Sequence, residues 1–161
     1  MKAVGINDAL VENTLGENLS SAGKINIARL ILGGLVAGLV MNVSEFLLNA
    51  VVLAKDVEAA MQAINQTMPD GGEILKLVGL TFVVGLTTVW LYTAIRPRFG
   101  AGAKTALVAG LAVWLLVYFY SAVVGSTMGL FPTNIYVIGG VWEFAATLIA
   151  SLAGCALYKE A

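Results

Sequence analysis

Histidine is absent from this chain, cysteine occurs once, and charged residues make up only 12%. Each scarcity excludes something. Without histidine there is no His-ligated haem, no usual zinc site and no Ser-His or Cys-His nucleophile arrangement. A metal site built from carboxylates alone, without a Glu-x-x-His element, would be unusual, so no metal or other cofactor is expected. Cys155 cannot form an internal disulfide and lies in an apolar run, where it reads as a small core hydrophobe. No nucleophile–base pair or phosphate-cradling loop is visible, so the chain does not read as an enzyme. No basic run or RNA-type aromatic motif is present, which argues against a nucleic-acid partner. A charged fraction of 12% is about half that of a soluble globular domain, where roughly a quarter of residues are charged.

What is abundant is apolar: 59% of the 161 residues. A membrane-crossing helix needs about 20 mostly apolar residues. Four runs qualify, at 25–54, 74–95, 103–131 and 134–158. The first and third are longer than a bilayer core requires, so they are expected to tilt or project from it. "RPRFGAG" and "FPTN" read as breakers between spans. The predicted fold is all-α: a single integral membrane four-helix bundle over 24–161, behind an amphipathic tail at 1–23.

With four spans, both ends of the chain fall on one side. That side collects Lys2, Lys24, Arg29, Arg96, Arg98, Lys104 and Lys159, against Lys55 and Lys76 opposite. The positive-inside rule then puts the N- and C-termini in the cytoplasm, with the bundle in the cell (inner) membrane. Residues 1 to 23 contain no long apolar run, so no cleavable signal peptide is expected. Within them, Ile6, Leu10 and Leu19 recur at near-helical spacing with acids between, as in a short helix on the membrane surface or on a partner. In "KDVEAAMQAINQTMPDGG", Val57, Ala60, Met61 and Ile64 mark a second amphipathic helix, in the outer loop, which either caps the bundle mouth or is a plain connector.

The spans are not uniformly greasy. At about 100° per residue, Gly34, Gly38, Asn42, Glu45 and Asn49 share one face of the first. The second offers Thr81, Gly85, Thr88 and Tyr92, and the third Gly110, Trp114, Tyr118, Ser121 and Gly125. The fourth offers Tyr136, Gly140, Glu143, Thr147, Ser151 and Gly154. Helices pack in lipid by such stripes, small residues allowing close approach and polar side chains bonding across. Gly34, Gly38, Gly85, Gly125, Gly140 and Gly154 are the expected packing positions. Trp90 and Tyr92 read as interfacial belt residues. "WLLVYFY" (114–120) reads as core or lipid-facing bulk, with a quinone or pigment platform the rarer use.

Depth singles out two acids. Glu45 lies nine residues before Ala54, and Glu143 nine residues after Asn134. Both therefore sit about 13 Å below the same surface, near mid-bilayer. A charge there costs about 2.5 kcal/mol or more, and no lysine or arginine shares the level. The pair is expected to be buried and to hold a proton or a cation. Asn42, Asn49, Thr81, Tyr118, Ser121 and Thr147 are the candidate hydrogen-bonding neighbours.

The stretch Gly33 to Asn49, the four-span layout and the "RPRFG" turn resemble small uncharacterised bacterial four-span membrane proteins. That resemblance implies the layout and no activity. Two functions follow from the residues. The first is a non-catalytic subunit or scaffold of a larger membrane complex, or a homo-oligomer, which suits so small a chain without soluble domains. The alternative is a proton or cation carrier, channel or small-ligand-binding bundle built on Glu45 and Glu143.

Overall fold

A computed structural model describes residues 11–13 and 25–160. Residues 11–13 are helical and exposed. The rest of the expected tail helix, including Ile6, Leu10 and Leu19, and the boundary at 23/24 lie outside the described residues, as do Lys2 and Lys24.

Among the described residues the chain is all helical. Four helices are long and apolar enough to cross a membrane: Ile27–Val52, Gly71–Phe99, Ala103–Thr127 and Thr133–Ala156. A short helix, Ala54–Ala63, joins the first two. The first span packs on the second and fourth, and the third on the second and fourth. The first and third stand at opposite corners without comparable contact. Outward residues such as Phe46, Leu75, Leu116 and Val141 are two-thirds exposed or more, which is the surface of a bundle surrounded by apolar solvent.

Close approach is set by glycine. A Cβ on Gly33 would lie 2.5 Å from the Gly154 carbonyl oxygen, and one on Gly154 would lie 2.6 Å from that of Gly33. Gly34 and Gly38 admit Leu86 and Phe82, and Gly85 lies against the Gly38 backbone. Gly110 faces Ser151, whose hydroxyl donates to the Ala106 carbonyl at 2.6 Å. Around these contacts gather Ala37, Met41, Val89, Tyr92, Ala106, Ala109, Ala150, Cys155 and Tyr158. The tightest packing therefore lies towards the end carrying the Phe99–Ala103 turn and the C-terminus, the terminal end. At the opposite, loop end, a smaller cluster of Leu48, Leu53, Ala60 and Ile135 packs with Val57, Phe131 and Trp142. The short helix thus caps the mouth of the bundle through Val57 and Ala60, while Ile64 falls beyond its last turn and is exposed.

Several boundaries differ from expectation. Pro97 does not break the second span, which runs on to Phe99. In the last turn its missing N–H removes one ladder bond, and the chain turns instead at Gly100 and Gly102, with φ of 83° and 123° that glycine alone adopts freely. Tyr92 is no belt residue: it is 4% exposed, and its hydroxyl accepts from the Gly102 N–H at 3.2 Å. Trp90, on the opposite face, is exposed as expected. The second span begins at Gly71, earlier than its apolar run, because Asp70 and Glu73 form a capping box. Asp70 Oδ1 accepts from the Glu73 N–H at 2.8 Å, and Glu73 Oε2 accepts from the Asp70 N–H at 3.1 Å. Asp70→Ala should cost about 0.5–2 kcal/mol in reversible unfolding of the purified protein in mixed micelles, with Lys76→Ala as the neutral control.

The two overlong spans are not plain α-helices. Leu48–Val52 in the first and Leu115–Phe119 in the third are π-helical segments. Both lie towards the loop end, and both border the site described next.

Candidate functional site

Ser44 and Trp142 immediately precede the two glutamates, and they are hydrogen-bonded to each other. Trp142 Nε1 donates to Ser44 Oγ at 2.8 Å. This bond locks the first and fourth spans in register and puts Glu45 and Glu143 at one level. It is the physical basis of the depth match in the sequence, and the sequence alone did not reveal it. Each glutamate is followed by phenylalanine, but the two rings differ in use. Phe144 packs edge-on against Trp114, with centroids 5.1 Å apart, whereas Phe46 is 67% exposed.

Both carboxylates line one open cavity of about 240 Å³. The first span supplies Glu45, Leu48 and Asn49; the third supplies Val117, Tyr118, Ser121 and Ala122; the fourth supplies Ile135, Tyr136, Gly139, Gly140 and Glu143. No residue of the second span lines it, so its mouth lies on the side which that span leaves uncovered. The π segments put Leu48, Asn49, Val117 and Tyr118 on its walls. Such segments occur frequently at functional sites, because the extra residue re-aims side chains without ending the helix.

The two acids differ in environment. Glu143 is 3% exposed, and neither of its carboxylate oxygens has a hydrogen-bond partner. One turn further along the fourth span, the hydroxyl of Thr147 is also buried and unpartnered. Glu45 is only half-buried, so the expectation of a buried pair is corrected: one glutamate is buried, and the other stands at the rim. Asn49 Nδ2 donates to Glu45 Oε2 at 3.2 Å and to the Glu45 carbonyl at 2.9 Å, and Asn49 is itself exposed.

The remaining candidates divide. Tyr118 and Ser121 reach the cavity, though Ser121 is largely exposed and its hydroxyl donates to the Val117 carbonyl. Asn42 and Thr81 do not line it. Asn42 Nδ2 donates to the Gly38 carbonyl at 2.8 Å and the Val78 carbonyl at 3.4 Å, tying the first span to the second. Thr81 donates to the Leu77 carbonyl of its own helix. Among the packing glycines, Gly140 is corrected, since nothing lies within 4 Å of a Cβ built there. It lines the cavity instead, and its carbonyl accepts from Trp114 Nε1 at 3.0 Å. Gly125 does pack, directly against the ring of Tyr136. Gly33 is a contact glycine that the helical wheel omitted.

No cation lines the cavity. Arg96 is engaged at the terminal end, 2.9 Å from Glu160 and over the ring of Tyr158. Among the described residues no group of three or more His, Cys, Asp or Glu is placed to hold a metal ion. The arrangement is therefore an acidic, aromatic-walled pocket whose deepest acid has no protein counter-charge. No protein-family model, curated protein or solved structure matches the chain, so the likeness to small bacterial four-span proteins rests on layout alone.

Proposed function

We propose that this chain is a small integral membrane protein that holds a proton or a small cation on Glu143. One observation carries this reading: a carboxyl group 3% exposed, with both oxygens unpartnered, on the wall of a cavity that no lysine or arginine enters. Buried polar groups in proteins find partners, and buried charges find counter-ions. An intramembrane acid that has neither points to a ligand from outside the chain. The cluster of Arg29, Arg96, Arg98, Lys104 and Lys159 at the terminal end makes that end the cytoplasmic one under the positive-inside rule, in the cell (inner) membrane.

The test is thermal unfolding of the purified chain in detergent while pH and sodium or potassium concentration are varied. Anything that binds the folded state alone stabilises it by mass action, about 2.7 kcal/mol at a hundred times its Kd. The wild type should respond to proton or cation concentration, and Glu143→Gln should flatten that response. Parallel curves for the two proteins would refute the site.

A second reading, the non-catalytic subunit, is favoured by the rim. Exposed Asn49 and Ser121 and half-buried Glu45 border the mouth at mid-span, where polar groups want cover from lipid. Foreign subunits in stoichiometric amount after gentle extraction would support it; a clean monomer would not.

A further inference from the structure

The cavity's walls say more about its occupant than its charge does. An inorganic cation stripped of water wants a close shell of oxygens, six to eight at about 2.3–2.6 Å for calcium. This pocket holds no such cage, and its volume of about 240 Å³ far exceeds that of a bare ion. It corresponds to about eight waters at their liquid volume and falls short of the usual drug-sized pocket. Its lining combines two carboxylates with two phenol rings, Tyr118 and Tyr136, and with the aliphatic groups of Leu48, Leu53 and Ile135. The ring of Tyr136 is set in place by Gly125, where any side chain would collide with it. Acid together with aromatic and aliphatic walls is the chemistry that recognises alkylated ammonium ions. The cation is attracted to the ring faces, and the alkyl groups need no hydrogen bonds.

Resting on the cation-site reading above, we infer that the cavity takes a small quaternary or tertiary ammonium ion, with its charge towards Glu143 and its alkyl groups against Tyr118 and Tyr136. Glu45, held by Asn49 at the rim, is the first carboxylate such an ion meets on entering. The mouth left uncovered by the second span admits a ligand with an apolar skin from the side, which a hydrated inorganic ion would not use.

Calorimetric titration of the purified full chain in micelles tests this, with choline as the probe and dimethylbutanol, its uncharged carbon isostere, as the control. Choline should bind saturably, and dimethylbutanol at least about tenfold more weakly. Glu143→Gln should abolish choline binding. Tyr118→Leu should weaken it about tenfold, whereas Tyr118→Phe, which keeps the ring, should stay within a few-fold. Equal binding of choline and dimethylbutanol would overturn the inference. So would a Tyr118→Phe loss as large as that of Tyr118→Leu, because the hydroxyl rather than the ring face would then be the contact. Should Tyr118→Leu fail to fold, the comparison of the two probes on the wild type still decides. If choline fails while sodium or protons still stabilise the wild type through Glu143, the organic ligand falls and the cation site stands. If neither acts, both fall.

Discussion

Glu143→Leu is expected to stabilise the folded bundle and abolish its response to cations. An unsatisfied buried polar group costs about 1–3 kcal/mol, more when charged, and the side chain of Glu143 has no partner to lose. Leucine nearly matches it in size and brings no polar atom, so the variant should gain about 1–3 kcal/mol in reversible unfolding measured in mixed micelles without added ligand. The sign discriminates between roles. A glutamate that glued helices together would leave its partners orphaned when removed, and the protein would lose stability. Glu45→Leu should behave differently, because Glu45 is half-exposed and accepts from Asn49. Its removal should move stability little while weakening ligand capture. A strongly destabilised Glu143→Leu protein would remove the basis for an external ligand. Stability given up at a binding site is a common trade, and here it is localised to one carboxyl group.

The largest loss should come from Gly85→Ala. A methyl group there would meet backbone on every side: the Gly38 nitrogen, the Gly34 oxygen at 2.6 Å and the Gly38 Cα at 2.7 Å. No rotamer change relieves contact with main chain, so the second span must move off the first. Overpacking of this kind costs about 1–3 kcal/mol, occasionally more. Gly79→Ala, two turns earlier in the same helix, provides the control. Nothing lies within 4 Å of its built Cβ, so alanine should be neutral or gain up to about 1 kcal/mol from helix propensity. Unfolding free energies of the two variants, measured side by side, should differ in sign or by at least about 1 kcal/mol. Equal values would mean that the first and second spans are not in backbone contact at Gly85.

The four spans were legible because about 20 consecutive apolar residues have few other uses. The small-residue stripes were legible because packing in lipid leaves a periodic mark: Gly34, Gly38, Gly85 and Gly154 all stand where helices touch. The site was half legible. Spacing from the span ends brought Glu45 and Glu143 to one level, but it could not show that Trp142 and Ser44 fasten that level. A helical wheel also assumes one angular step throughout. The wheel that placed Asn49 beside Glu45 runs into the π segment beginning at Leu48, and Asn49 is exposed. Hydropathy gives no sign of a π turn, which depends on which carbonyl an N–H chooses rather than on how apolar the residues are. Pro97 misled for a related reason. Its effect depends on its place in the helix, and near a C-terminus it forfeits a single bond.

Those π segments also make the chain unequally tolerant of length changes. In the connector between residues 64 and 69, losing one residue shortens a loop. Losing one between Leu115 and Phe119 would restore an ordinary α-helical count and turn everything beyond by about 100°. Gly125 would swing away from the Tyr136 ring, and a larger side chain would take its place. At these two levels of the bundle, residue number acts as an angular setting. The pocket keeps its shape only while both spans keep their count.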